Sequence, residues 1–417
     1  METLVARACG LDVHEATVVA CVIIGEGKRP KKMTRTFSAM HGDLIELRDW
    51  LASLNVTHVV MEGTGIYWRP VYEVLEHAFD VWLVNARHVK NVPGRKSDVM
   101  DAEWLAKLLR NGLLRKSFVP PAEIRDIRDL SRFRRMLVQT QTAEKNRILK
   151  LIEMIGLKLA MVASDVFGVS GMAMLRAIAE GKQSIEDIAE LARGRMRSKR
   201  PQLRLALECS VREHHRLMLR DQLGQLDATA ERIAQYDQLL TDRVKPYAET
   251  IELLCTVHGI QRKAAIEIFA EIGPDLDSFP KATNFAAWAG TSPGLNESAG
   301  KNKSGRRRRG NRYLTSILVE CALAATRKKD SYLKDKYHRL KARRPKLVAL
   351  FAIANKLAHA IFRVIKTGTG YRDLGSAYLD RRNRRTTATK LLKRLLSLGL
   401  DRNEILLRLP PAESPTQ

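Results

Sequence analysis

Pro120-Pro121 separates two different hydrophobic patterns, and that change limits the folds open to the chain. Before it, short apolar runs alternate with amphipathic stretches. Residues 5–13 and 16–24 are β-rich runs separated by His14-Glu15, which predicts a hairpin, and 33–37 predicts a third strand. Residues 43–54 have helical spacing through Leu44, Leu47, Leu51 and Leu54. A strand over 58–61, a helix over 70–77, a strand over 81–84 and a helix over 98–109 follow. Three early strands and then strand–helix alternation predict a mixed sheet with helices on its faces.

After the two prolines, strand signals are almost absent up to about residue 245. Leu130, Phe133, Leu137, Ile148, Leu151 and Ile155 repeat at helical spacing. So do Leu223, Leu226, Ala230, Ile233, Leu240 and Val244, with Asp237 in one core slot. Such stripes suit either a helical bundle or a dimerising coiled coil. The basic, proline-containing stretch 194–204 reads as a loop between the two long helices. Farther on, 251–273 reads as helix, Gly259 turn and helix, a form that resembles a helix-hairpin-helix. Residues 288–311 are rich in Gly, Ser, Asn and Arg without apolar period; 314–325 and 347–365 are apolar helices, and 391–400 predicts a last one. The domains expected are 1–122 (α/β), 123–248 (helical, oligomerising), 249–370 (mainly helical) and 371–417 (basic tail).

The charge narrows the partners. Lys and Arg number 72 against 46 Asp and Glu, a net charge of +26. Between Lys301 and Lys346 stand 17 Lys and Arg against Glu320, Asp330 and Asp335, so over half of the excess lies in 46 residues. That concentration predicts contact with nucleic-acid phosphates. A membrane partner is not expected, since the apolar run 18–24 is too short to span a bilayer and no signal pattern opens the chain. Five scattered cysteines with no C-x-x-C suit reduced thiols in a cytoplasm and exclude a cysteine-based zinc site. The spacing 294–300 followed by Lys301-Asn302 breaks the P-loop pattern, so no ATP site is expected.

Four acids carry the candidate chemistry. Asp12 lies late in the first strand, Glu62 ends the strand 58–61, and Asp98 and Asp101 are three apart at a helix start. Singly, each has an ordinary structural explanation; first-turn acids, for example, are favoured by the helix dipole. Together, strand ends and a helix start can converge on one point, where carboxylates repel unless a cation lies between them. Oxygen-only ligands select Mg²⁺ or Mn²⁺, and two such ions can assist attack and departure at a phosphodiester.

Three segments then resemble a known family: Gly10-Leu11-Asp12-Val13-His14, Glu62-Gly63-Thr64-Gly65-Ile66-Tyr67-Trp68 and Lys96-Ser97-Asp98-Val99-Met100-Asp101-Ala102. They are similar to the motifs of the RuvC-like DEDD domain in Piv-type insertion-sequence transposases, also called bridge-RNA-guided recombinases. Asn85-Ala86-Arg87-His88-Val89-Lys90 fits the same family, and Gly63 stands where Ala is common. The second half resembles its transposase domain through Trp288-Ala289-Gly290-Thr291-Ser292-Pro293, Glu297-Ser298-Ala299-Gly300-Lys301, Ser304-Gly305-Arg306, Gly310-Asn311-Arg312-Tyr313-Leu314 and Ala352-Ile353-Ala354-Asn355-Lys356-Leu357-Ala358. Ala299 replaces a frequent Gly.

The resemblance implies an RNase H-like (RuvC-like) α/β first domain whose Asp12, Glu62, Asp98 and Asp101 bind metal and catalyse. It implies Ser298 as nucleophile, with Ser304 and Ser292 as runners-up. An activated serine can attack a DNA phosphorus, keep the bond energy as a phosphoserine ester and allow rejoining without ATP. Lys301, Lys303, Arg306, Arg307, Arg308, Arg309, Asn311 and Arg312 are the expected nucleic-acid contacts, and the cations among them can offset charge on phosphorus. Partners implied are donor and target DNA, a bridge RNA that pairs with both, and further copies of the chain as a dimer or tetramer, in a prokaryotic cytoplasm at the nucleoid. Two other functions remain open to the residues: a metal-dependent junction nuclease acting by hydrolysis, and a non-enzymatic nucleic-acid-binding scaffold.

Overall fold

The fold is taken from a computed structural model, which describes residues 4–26, 30–63, 65–86, 89, 101–294, 297–298, 301–302, 307, 309–401 and 403–404. They divide into two units, Met1–Val119 and Pro120–Gln417.

The first unit is built on five strands: β1 (Arg7–Val13), β2 (Thr17–Ile24), β3 (Lys31–Ser38), β4 (His58–Glu62) and β5 (Asp80–Val84). Their order is β3-β2-β1-β4-β5. β1 and β2 form the hairpin predicted across His14-Glu15 and β3 extends it antiparallel, while β4 and β5 join β1 in parallel. Helices α1 (His41–Ser53) and α2 (Trp68–Leu75) connect the later strands. Strand alternation sends Cys9 and Leu11 of β1, with Val59 and Met61 of β4, to the face that Leu44, Leu47 and Leu51 of α1 and Val71 and Leu75 of α2 cover. Ala8, Val60 and Val84 take the opposite face, under Leu105, Leu108 and Leu109 of α3 (Asp101–Arg110). The result is a sheet with helices on both sides, as the alternation predicts.

The second unit is mostly helical among its described residues. Its longest members are α4 (Ala122–Met154) and, after the short α5 (Leu159–Val162), α6 (Val169–Glu180), α7 (Ile185–Glu190) and α8 (Arg200–Leu207), the 31-residue α9 (Glu213–Arg243). α4 and α9 run antiparallel: Phe133 meets Tyr236 at 5.0 Å near one end, and Ile148, Leu151 and Ile152 share a cluster with Leu219, Leu223 and Leu226 near the other. The predicted stripes therefore pack on each other within one chain, and Met174, Leu175 and Ile178 of α6 complete their cover. Asp237, the polar member of the second stripe, accepts from Arg134 Nε and Lys263 Nζ, each at 2.8 Å.

The stretch 194–204 departs from its reading as a loop. A 3₁₀ turn over Gly194–Lys199 runs into α8, because Pro201 sits in the first turn, where proline is tolerated, and Leu203, Ala206 and Leu207 are buried.

The rest of this unit comprises α10 (Ala248–Cys255), α11 (Arg262–Ile272), α12 (Ala282–Trp288), a ribbon of β6 (Glu297–Ser298) and β7 (Lys301–Asn302), then α13 (Arg312–Ala325), α14 (Tyr332–Lys341), α15 (Lys346–Thr367), α16 (Tyr378–Arg382) and α17 (Arg384–Ser397). α10 and α11 form the predicted helical hairpin. Its Gly259 has φ +88°, and a Cβ there would lie 2.3 Å from the Cys321 carbonyl oxygen, so the turn backbone is pressed onto α13. α15 is long and apolar enough to cross a bilayer by length and composition. Ile353, Leu357 and Ile361 of that helix are instead fully buried in this unit.

Candidate active site

Asp12 and Glu62 are brought together by strand register. Leu11 pairs with Met61 in the parallel β1–β4 ladder, so the next residues, Asp12 and Glu62, stand side by side at the ends of neighbouring strands. Parallel neighbours are about 4.8 Å apart. By alternation both belong to the face carrying Ala8 and Val60, the face covered by α3.

Gly10 decides how closely α3 can approach. A Cβ at Gly10 would lie 2.0 Å from the Ala102 carbonyl oxygen and 2.6 Å from the Ala106 nitrogen, so the helix crosses β1 in backbone contact. That seats the first turn of α3, with exposed Asp101, over the strand position two residues before Asp12. Glu103, two residues along, is held by Lys32 Nζ at 2.6 Å and Lys107 Nζ at 2.7 Å. Burial alone would raise the Glu103 carboxyl; the two lysines outweigh it and hold it below the usual carboxylate range. His14 Nε2 is 3.2 Å from Asp12 Oδ2, and the Asp12 side chain is 29% exposed.

Asp98 lies outside the described residues. Among the described residues, no three Asp, Glu, His or Cys side chains gather closely enough to enclose a metal ion. The candidate acids from two strand ends and a helix start offer carboxylate oxygens, which suit a hard divalent cation, and His14 stands beside Asp12.

The serine loop belongs to the second unit. Gly290 and Gly310 close its neck: Gly290 has φ +73°, and a Cβ on Gly310 would lie 2.4 Å from both the Gly290 nitrogen and the Trp288 carbonyl oxygen. Asn311 N donates to Trp288 O at 2.9 Å, and Thr315 Oγ1 donates to Ala289 O at 2.6 Å. Above the neck, Pro293 bridges Arg307, and the backbone of Ser298 pairs directly with that of Lys301 in the β6–β7 ribbon. Ser292, a runner-up, accepts from Asn355 Nδ2 at 3.3 Å; Ser304 lies outside the described residues.

A buried carboxylate anchors the loop's far end. Glu271, 2% exposed, binds Arg132 through both oxygens at 2.8 and 2.9 Å and accepts from Asn311 Nδ2 at 2.6 Å. Asn311 Oδ1 meanwhile caps α13 by accepting from Tyr313 N and Leu314 N at 3.0 and 3.1 Å. The expected contact residue Asn311 is thus engaged at both ends of its amide.

Comparison with known proteins gives two matches in chain order. Residues 9–156 match the DEDD domain model of IS110 transposases, described as a transposase. Residues 251–338 match the model described as transposase of the IS116/IS110/IS902 family. The chain is an insertion-sequence transposase with both of the IS110-type domains. It is similar to a probable family 20 transposase of Pseudomonas aeruginosa, 28% identical over 334 residues that cover 78% of this chain and 89% of that one. A putative transposase of Sinorhizobium fredii is 36% identical over 108 residues, 24% of this chain and 27% of that protein. The transposase is therefore an enzyme that acts on DNA, and its first match spans both strand-end acids and Asp101.

The remaining expected contacts divide. Arg307 stacks on Phe351 at 4.9 Å, Arg312 lies over Tyr313 at 4.8 Å, and Arg309 is exposed. Lys303, Arg306 and Arg308 lie outside the described residues, and only the backbone of Lys301 is described. Glu271 is a support of the site that lies outside the quoted motifs, while Gly10, Gly290 and Gly310 stand inside them without a role read from sequence. A glycine inside a strand, two residues before a candidate acid, is the sequence signal of close backbone approach. An acid within the apolar run Ala264-Ala265-Ile266-Glu267-Ile268-Phe269-Ala270-Glu271-Ile272 is the signal of a buried pair.

Proposed function

We propose that this transposase cuts and rejoins DNA through a covalent phosphoserine bond, with the sheet-end acids and Ser298 acting at one phosphodiester. The observation that carries the reading is the side-by-side placement of Asp12 and Glu62 at the ends of β1 and β4, with the first turn of α3 seated on β1 at Gly10. The strand order, three antiparallel strands continued by two parallel ones, supports an RNase H-like (RuvC-like) assignment. In this reading Asp12, Glu62, Asp98 and Asp101 would hold Mg²⁺ or Mn²⁺. Bound there, the metal would supply Lewis-acid charge at the scissile phosphate.

The chain's own groups do the rest. Ser298 Oγ loses its proton to a carboxylate of the site and attacks phosphorus; the P–O bond to the departing strand breaks, and that strand's oxygen takes the proton from the carboxyl group and leaves as a hydroxyl. Lys301 and the arginines at 306–309 offset the charge that grows on the phosphoryl oxygens. A hydroxyl from the partner strand then attacks the phosphoserine, and Ser298 leaves with its proton restored. Family resemblance adds a bridge RNA that selects donor and target, and a dimer or tetramer in which one copy's serine loop serves another's acids. Residues 123–248 would join the copies and 371–417 form a basic tail, in a cytoplasmic assembly at the nucleoid.

The test is strand cleavage of labelled element-end DNA in Mg²⁺ with the flanking RNA present. Loss of cleavage in both Asp12→Ala and Ser298→Ala supports the proposal. Full cleavage by Ser298→Ala with none by Asp12→Ala would replace it with hydrolysis by a junction-type nuclease. No cleavage by the unaltered protein, with nucleic-acid binding unchanged by metal removal, would leave only a binding scaffold.

A further inference from the structure

A second cleft lies far along the chain from the residues given catalytic roles above. It has a volume of about 590 Å³ and opens between α14, one face of α15 and the segment that follows, 369–382. Four of its lining side chains are cations: Lys356 and Arg363 from α15, Arg372 from the following segment and Arg382 from α16. No Asp or Glu lines it, and none of these cations forms an ion pair with another described residue. Three tyrosines supply the aromatic part, Tyr332, Tyr371 and Tyr378.

The walls are built rather than incidental. Tyr332 and Tyr378 meet edge to face at 5.6 Å, and Tyr371 packs on His258 at 5.4 Å. Asp373, the nearest acid in sequence, is turned to the scaffold. Its Oδ1 accepts from Tyr332 N at 3.0 Å and Gly375 N at 2.7 Å, while Oδ2 lies 2.9 Å from His258 Nδ1. Tyr371 N donates to Thr256 Oγ1 at 2.8 Å, tying the segment to the α10–α11 turn. Burial, with Asp373 and Tyr332 adding to it, pushes the Tyr371 phenol up to about 12, so the ring stays neutral.

Four unpartnered cations with three aromatic rings match a phosphate and a base offered together. Base stacking on aromatic side chains needs an exposed base face, which a paired duplex hides. The cleft's volume lies within the range of small-ligand sites. We propose that this cleft seats one unpaired nucleotide of a single-stranded polynucleotide, its phosphate among Lys356, Arg363, Arg372 and Arg382 and its base against the tyrosines. The site uses neither the strand-end acids nor Ser298, so it stands or falls apart from the cleavage chemistry.

The test uses the full chain and fluorescent twelve-nucleotide probes, oligo-dT and oligo-U, with a blunt duplex of the same length, titrated by anisotropy at several salt concentrations. Arg363→Ala/Arg372→Ala changes two exposed side chains. It is expected to weaken single-strand binding at least tenfold and to lower the salt slope by up to about 0.7, the value for one lost phosphate contact. Duplex binding is expected to change less than threefold, as is single-strand binding by the exposed control pair Arg195→Ala/Arg197→Ala. Tyr378→Ser should weaken single-strand binding with an unchanged salt slope. The tighter of the two probes names the natural strand as DNA or RNA. Equal losses in the two arginine pairs, equal losses for duplex and single strand, or displacement of the probe by micromolar AMP would overturn the proposal, the last by making the cleft a site for a free nucleotide.

Discussion

The two halves of the molecule hold their candidate residues in different ways. Asp12 and Glu62 stand on adjacent strands whose register sets their separation, and Asp101 rides on a helix pressed against β1 at Gly10. Ser298 stands on a short ribbon within a loop closed by Gly290 and Gly310 and anchored through Asn311 to Glu271. Groups that must share a charge need fixed spacing, and a sheet provides it. A group that must reach a phosphodiester, bond to it and be released suits a loop on a rigid neck. The two halves should therefore fail differently when altered.

The largest effect is expected at the acids. Asp12→Ala leaves the sheet intact and should lower strand cleavage by about 1000-fold or more, since charge stabilisation at a phosphoryl group is worth several kcal/mol and each 1.36 kcal/mol is tenfold; a cleavage time course checks this, with circular dichroism for the fold. Glu271→Ala should act on stability instead. It leaves Arg132 and Asn311 facing a vacated buried position and should cost about 3 kcal/mol, read from the denaturant midpoint of the second unit. Gly10→Val tests the sheet side of the comparison: the added methyls meet the α3 backbone, so the unit should lose about 1–3 kcal/mol in thermal or denaturant unfolding and most of its cleavage together. Loss of stability with full cleavage would break the link drawn between Gly10 and the acid corner.

The smallest effect is one of pH. Burial works against the Asp237 carboxylate, but Lys263 and Arg134 outweigh it and hold the folded pKa below its unfolded value. Its contribution to stability is therefore complete above the ordinary carboxylate pKa and fades as pH falls through the lowered one. Denaturant midpoints measured from pH 6 down to pH 3 should decline less in Asp237→Asn than in the wild type.

Much of the sheet unit is legible in the sequence because its rules are local. Apolar alternation marks β1 and β2, and the charged pair His14-Glu15 marks their turn. The parallel register of β1 on β4 is a tertiary choice between segments far apart in sequence. Motif order therefore hints at a shared corner for Asp12 and Glu62, and only the strand pairing sets them side by side. The helical unit hides more. Arg128, Arg132, Arg134 and Arg135 follow one another closely on α4, and their side chains meet carboxylates or carbonyls of residues more than a hundred positions away. Glu271 lies 139 positions from Arg132, a separation at which no periodicity speaks. The stretch 194–204 reads as a loop because its arginines, lysine and proline outweigh its apolar residues. Three buried positions, Leu203, Ala206 and Leu207, are enough to make its second half helical.

The most direct measurement asks whether the alcohol of residue 298 becomes bonded to DNA. Full-length protein, Mg²⁺, the element's flanking RNA and end-labelled DNA are mixed, denatured, treated with nuclease and analysed by peptide mass spectrometry. The expected result is a nucleotide remnant on the peptide carrying Ser298, absent without divalent metal, from Asp12→Ala and from Ser298→Ala. Cleaved DNA with no adduct, or an adduct that persists in Ser298→Ala, would contradict it.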